Sequence, residues 1–309
     1  MNLKPLVAAL VTAFTLQVGI ANAEFNPAGK QVNVIMPFAP GGGVDQTFRH
    51  LQTYAAKRGV TLVGIYKPGA EGLIAMSELT TKPADGLTVS VTTAGVIANY
   101  RLKNPSTDVV AISGIRDSIM ALVVSNKSQI ESLDQLDKNL KEGKKLNVGY
   151  GAPGQQMFLE QFFDLAKANK QGPTMVPYKG GGPVVTDILG GHIDVAAVPL
   201  SIVRAHVESG KVKLIGLASR AKIDGYDSIP LMKNKYPKWE EFDNFAFVAE
   251  KGTDKEAITW WSNFLKDYIN DESVRKEFIR DLTVPVEFGT ANLEKTIQSS
   301  INRLKKNGN

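Results

Sequence analysis

The sequence predicts an α/β protein of two domains, each a mainly parallel sheet flanked by helices. Three observations predict it. From Gln31 onward, short strand-like runs alternate with stretches of period 3.6, the pattern of strands joined by crossover helices. The chain has 309 residues, 43% of them hydrophobic, which exceeds the usual size of one domain and suffices for a large core. Four of the strand-like runs end in a glycine-rich turn that opens a helix.

In chain order, strands are expected at Val32 to Met36, Leu62 to Tyr66, Leu87 to Val91, Ala121 to Val124 and Leu146 to Tyr150. Five more are expected at Thr174 to Pro177, Val195 to Val198, Lys213 to Leu217, Phe245 to Val248 and Val284 to Phe288. Helices follow most of them. Val44, Phe48, Leu51 and Ala55 share one face, as do Phe158, Phe162 and Leu165. Pro183 suits a first helical position, Gly190 and Gly210 suit C-terminal caps, and Thr253 with Glu256 reads as a capping box before Ile258, Trp261, Leu265 and Tyr268. No Pro/Ser-rich linker divides the chain, so the domain crossings are expected inside ordered structure, before Ala121 and after Leu217. The expected division is residues 24–120 plus 222–309 for a discontinuous first domain and 121–221 for the second, an arrangement that suits hinge closure over a ligand.

Residues 1–23 read as a cleaved export signal: Lys4, an apolar run from Leu6 to Ile20 interrupted by polar residues, then Ala21-Asn22-Ala23. The run is too short and interrupted for a bilayer span, which needs about 20 predominantly apolar residues. Without any cysteine there is neither a disulfide framework nor a lipoprotein signal. The net charge of +5, or +4 once Lys4 is removed, is spread among scattered basic residues rather than interleaved with aromatics, which argues against nucleic acid.

The glycine-rich turns are Ala39 to Gly43, Lys67 to Gly72, Gly151 to Gly154 and Lys179 to Gly182. Glycine lets the backbone approach a ligand, and the helix start behind it offers unpaired N–H groups at a positive dipole end, so the expected ligand is a small anion. Any one turn is equally well explained by glycine's ease in tight turns; four in one chain favour a site. None has the Gly-Lys-Ser/Thr or Gly-x-Gly-x-x-Gly pattern of nucleotide sites.

The candidate site comprises Phe38, Ala39, Pro40, Gly41, Gly42, Gly43 and Asp45 in the first turn, and Thr92 and Thr93 after the third strand. From the second half it takes Gly151, Ala152, Pro153, Gly154, Gln155 and Gln156, then Tyr178, Lys179 and Gly180, and finally Val198 and Pro199. Asp45 has two readings, a general base or an acceptor for backbone N–H groups of the helix's first turn, and the second is preferred. Tyr178 either hydrogen-bonds a ligand or packs on the sheet. Gln155 and Gln156 either donate to a ligand or face water. Arg116, near the first crossing, pairs with a distal ligand carboxylate or with neighbours. His50, His192 and His206 stand in no metal-ligand spacing, and there is no Gly-x-Ser-x-Gly elbow, so no catalytic residue, metal or cofactor is assigned.

Met36-Pro37-Phe38-Ala39-Pro40-Gly41-Gly42-Gly43-Val44-Asp45 resembles the first loop of the tripartite tricarboxylate transporter receptors. Lys67-Pro68-Gly69-Ala70 with Lys82-Pro83-Ala84-Asp85-Gly86-Leu87-Thr88 resembles a second block of that family, and Tyr150-Gly151-Ala152-Pro153-Gly154 a third. Val176 to Pro183 and Asp187 to Asp194 resemble a fourth, so the match runs in order from about Val32 to Pro237. The resemblance implies a two-domain periplasmic binding protein of the Venus-flytrap type, a monomer without cofactor. It also implies loops that grip a ligand carboxylate through backbone amides and water, and delivery to a large and a small integral membrane protein. Di- and tricarboxylates, acidic amino acids and aromatic acids are the implied ligands; a sensory receptor or a periplasmic enzyme with Asp45 as base are the alternatives. Glu71 and Leu73 depart from the second block, where the family usually carries glycine and asparagine, and Val198-Pro199 replaces a commonly more polar turn.

Overall fold

The computed structural model describes residues 25–106, 109–219, 223–239, 244–286 and 289–306; the expected export signal lies outside the described residues. The chain first lays down β1 (Gln31–Met36), α1 (Gly43–Ala56), β2 (Thr61–Tyr66), α2 (Leu73–Leu79), β3 (Thr88–Thr93), α3 (Ala94–Lys103) and β4 (Val109–Ser118). It then builds β5 (Met120–Ser125), α4 (Leu133–Lys141), β6 (Leu146–Tyr150), α5 (Pro153–Ala166), β7 (Pro173–Pro177) and α6 (Gly181–Gly190). These are followed by β8 (Val195–Pro199), α7 (Leu200–Glu208), β9 (Val212–Ala218) and α8 (Met232–Lys235). The last elements are β10 (Asn244–Glu250), α9 (Lys255–Asn270), α10 (Glu272–Arg280), β11 (Thr283–Pro285) and α11 (Thr290–Lys306).

Two sheets result, one ordered β11-β4-β10-β3-β1-β2 and the other β7-β6-β8-β5-β9. In the first, β1, β2 and β3 pair in parallel while β10 runs antiparallel to both β3 and β4. In the second, β6, β7 and β8 are parallel and β5 is antiparallel to β8 and β9. The reversed strands are those that carry the chain across: β5 on the way out, β10 and then β11 after the return. Crossover helices enforce parallel neighbours, whereas a strand arriving from the other lobe is free to enter in either direction.

Burial on both faces explains the apolar runs. Val34, Ile35 and Met36 of β1 are fully buried between helical layers. Along β5, Met120, Leu122 and Val124 face one core layer with Phe158 and Phe162, while Ala121 and Val123 face another with Val184 and Ile188. The expected stripe Val44, Phe48, Leu51 and Ala55 enters the first core, as do Trp261, Leu265 and Tyr268.

Several expectations shift. β4 has no counterpart among the expected strands, and the expected strand Val284 to Phe288 is observed as β11, with residues 287 and 288 outside the described residues. Pro183 is the third residue of α6, and the left-handed cap of that helix is Gly191, one residue later than expected. No capping box forms at α9: Asp254 is the N-cap without a side-chain bond, and Thr253 Oγ1 donates to the Glu250 carbonyl instead. Met232, Tyr236 and Trp239, expected with the first domain, pack in the core of the second lobe.

Candidate functional site

The carboxyl ends of β1, β3, β6, β7 and β8 each lead, directly or through a short turn, into a helix start. After β1, Gly42 is the N-cap of α1 with no side-chain bond. Gly41 takes a φ of 86°, accessible to glycine at little cost, and its N–H donates to Asp45 Oδ2 at 2.9 Å. Asp45 is buried and also accepts from Arg49 Nε, at 3.1 and 3.0 Å, and from Tyr66 Oη at 2.5 Å. Burial alone would raise its carboxyl; the bonds from Tyr66, the Gly41 N–H and Arg49 outweigh that and hold it below the ordinary carboxylate range. Asp45 therefore caps nothing in the first turn. It reaches back and fixes the glycine loop from behind, leaving the N–H groups of α1 for another partner.

In the second lobe, the Gly151 N–H donates to the buried Gln155 Oε1 at 2.6 Å, and Gln156 Nε2 donates to Glu160 at 2.8 Å. Tyr178 Oη donates to Asp187 Oδ2 at 2.6 Å; burial and that carboxylate push its pKa up to about 12. The Lys179 side chain is exposed, but its carbonyl accepts from the Ala39 N–H at 2.8 Å, joining the first loop to the loop after β7.

The loops interlock across the lobes. A Cβ placed on Gly42 would lie 3.5 Å from the Gly181 nitrogen, and one on Gly182 would lie 2.9 Å from the Pro40 carbonyl. On Gly180 it would meet Phe38 Cβ at 3.0 Å, and within the second lobe one on Gly151 would meet the Gly180 carbonyl carbon at 2.2 Å. Pro199, after Val198, lies 3.4 Å from the Cβ position of Gly43. The N-caps of α1, α5, α6 and α7 are Gly42, Ala152, Gly180 and Pro199, and none makes a side-chain capping bond. At the fifth start Thr93 Oγ1 accepts from the Val96 N–H at 3.3 Å, while the buried Thr92 Oγ1 has no hydrogen-bond partner. The first N–H of α7 donates to the Ile119 carbonyl at 2.7 Å, but the starts of α1, α5 and α6, brought together from two lobes without side-chain caps, concentrate unpaired N–H groups and positive dipole ends at one seam. That arrangement suits an anion.

The second glycine turn packs on the first lobe's own side of the seam. Its Gly72 packs on Pro37 and Val96, so it buttresses the first loop and the start of α3. Arg116 is fully buried in the first lobe, donating to Thr47 at 3.0 Å and Thr283 at 3.3 Å, and is thereby committed away from a distal ligand group. Sequence reasoning missed Gly95, whose Cβ position is 3.1 Å from the Gly154 nitrogen, and Phe245, whose ring abuts Gly43. Thr93 two residues before Gly95 was the available signal for that helix start; Phe245 carried none. Arg49 was detectable as the i+4 partner of Asp45.

Fold and seam define a two-lobed α/β protein whose glycine-rich turns meet at the carboxyl ends of its strands. A profile described as "Tripartite tricarboxylate transporter family receptor" matches residues 47–307, and the chain belongs to that family, which consists of receptors and not enzymes. Protein BugT of Bordetella pertussis is 28% identical over 300 residues, covering 93% of this chain and 91% of the relative. A protein from the ttuE-ttuC' intergenic region of Agrobacterium vitis is 25% identical over 97% of this chain and 89% of its own. Among solved structures, an R. palustris protein with adipate superposes with a TM-score of 0.82 at 22% identity, covering 89% of this chain and 95% of its own. MatC from Rhodopseudomonas palustris with bound malate gives 0.80 at 19%, covering 89% and 98%. At such identities these two show the shared fold. Among the described residues, no helix is long and apolar enough to cross a membrane.

Proposed function

We propose that the chain is exported to the periplasm, captures a small carboxylate in the seam between its lobes, and delivers it to a tripartite tricarboxylate-type membrane transporter. The observation that carries this reading is the meeting of the starts of α1, α5 and α6 across the lobes, without side-chain caps. A ligand carboxylate there receives main-chain N–H bonds from both lobes, so its binding adds to the contacts that hold the lobes together. The adipate and malate held by two proteins of this fold support the ligand class. In this reading residues 1–23 leave on export, the mature chain acts as a monomer, and the lobes divide near Ile119 and again between Ala218 and Asn244.

Thermal melting of the mature chain against mono-, di- and tricarboxylates tests the capture step. A ligand at a hundredfold excess over its Kd stabilises the folded chain by about 2.7 kcal/mol, so at least one carboxylate raises the Tm by several degrees. No shift with any carboxylate defeats the reading. Delivery is tested separately, by loss of uptake of the identified ligand in a deletion strain.

A further inference from the structure

The loop between β2 and α2 carries two successive non-glycine residues in the left-handed region, Ala70 at φ 45° and Glu71 at φ 55°. Side chains rarely accept this conformation, and its persistence requires that surrounding contacts over-determine it. The contacts are specific: Asn99 Nδ2, buried on α3, donates to Glu71 Oε2 at 3.1 Å. The next residue, Gly72, lies against Pro37 of the first loop and Val96 of α3, and the same first turn of α3 meets Gly154 and Met157 of the second lobe through Gly95. Glu71 is thus held at the edge of the inter-lobe seam. On the second lobe, Tyr150 is buried next to Gly151, with a hydroxyl that bonds no described residue. Burial raises the Tyr150 pKa, and the charges of Glu71 and then Glu160 raise it further, so the Glu71 carboxylate acts on this phenol from the opposite lobe. Lys103 Nζ is 3.9 Å from Glu71 Oε2, but its side chain is half exposed and neutralises the carboxylate only in part.

We propose that Glu71, held beside α3 by Asn99, sets specificity at the far end of the seam: it accepts hydrogen bonds from a ligand ammonium and repels a second carboxylate. The receptor then selects aminocarboxylates over dicarboxylates of the same length. This inference rests on the carboxylate reading above, with the first carboxylate held by the helix starts. A ligand ammonium completes the open acceptor capacity of Glu71 with a charge-assisted bond, whereas a like charge there is desolvated and opposed.

Calorimetry of the mature chain with two matched pairs, 4-aminobutyrate with glutarate and β-alanine with succinate, tests it. The wild type is expected to favour the amino member of at least one pair by roughly tenfold, the scale of one partly solvated charge contact. Glu71→Gln, which keeps the shape, should abolish that preference, and Glu71→Gly, which also releases the left-handed strain, should do the same with unchanged or raised Tm. Dicarboxylates bound as tightly as their amino partners by the wild type, or a preference unmoved in Glu71→Gln, overturn the inference and leave the receptor reading intact. Binding of none of the four probes overturns it as well. If other carboxylates still raise the Tm, only this inference falls; if none does, both fall.

Discussion

Asp45 shows how a single side chain shapes a site it does not have to touch. Its carboxylate is spent on Gly41, Arg49 and Tyr66, so the N–H groups of α1 stay unpaired by it. Its folded pKa lies below the ordinary value, so the stability it contributes is fully present above about pH 4, the unfolded value, and is lost as pH falls through the folded one. Asp45→Asn should therefore cost about 1–3 kcal/mol at neutral pH, the usual penalty for removing one charged partner of a buried network. In ligand-free melts from pH 7 downward, the gap between variant and wild type should close below about pH 4. A gap that persists to pH 2 would show that the carboxylate's charge is irrelevant. The i, i+4 spacing made Arg49 readable from the sequence, but Tyr66, on another strand, became a partner only through the pairing of β1 with β2.

At the scale of elements, the helix starts were legible because glycine-rich turns mark them, and each of the ten strands read from the sequence overlaps an observed one. β4 was not legible. Its VVAISGIRDS carries glycine, serine and charge, which depress strand propensity, yet it lies between β10 and β11, where pairing and burial override propensity. The partners of the glycine turns were also hidden, since contact between the first loop and that after β7 spans about 140 residues and depends on the lobes' mutual placement. That contact gives Gly42 a definite test. Its φ of −90° and ψ of 177° are open to any residue, so Gly42→Val should fold. A Cβ there stands 3.5 and 3.8 Å from the Gly181 and Gly182 nitrogens, an ordinary contact, so the added methyls leave the fold intact and crowd a ligand at those N–H groups, at a cost of about 1–3 kcal/mol in binding. Carboxylate affinity by calorimetry should fall roughly 5- to 150-fold, with little change in ligand-free melting. Unaltered affinity would reduce the loop to a turn.

Across the whole molecule, the lobes meet at more than the seam. Leu282, at a φ of 55°, packs from the first lobe into the second lobe's core, and Arg204 Nη1 donates to the Arg280 carbonyl at 2.8 Å. Arg303 Nη1 reaches Gln161 Oε1 at 2.7 Å on another side, and Met157 of α5 joins the first lobe's core. These contacts favour the closed arrangement independently of ligand. Removing one exposed bond, as in Arg204→Ala, should weaken ligand affinity by about 0.5–1 kcal/mol, roughly two- to fivefold, and enlarge the ligand-free radius of gyration in X-ray scattering. Equal radii and affinities would place that bond outside the opening equilibrium. The Ala39–Lys179 bond has a different kind of consequence. Both of its atoms belong to the main chain, like the N–H groups beside it, so no exchange of side chain other than to proline deletes them. On the proposed reading, heritable variation reworks rim positions such as Glu71 and moves a lineage from one ligand to another, while the main-chain grip passes down unchanged.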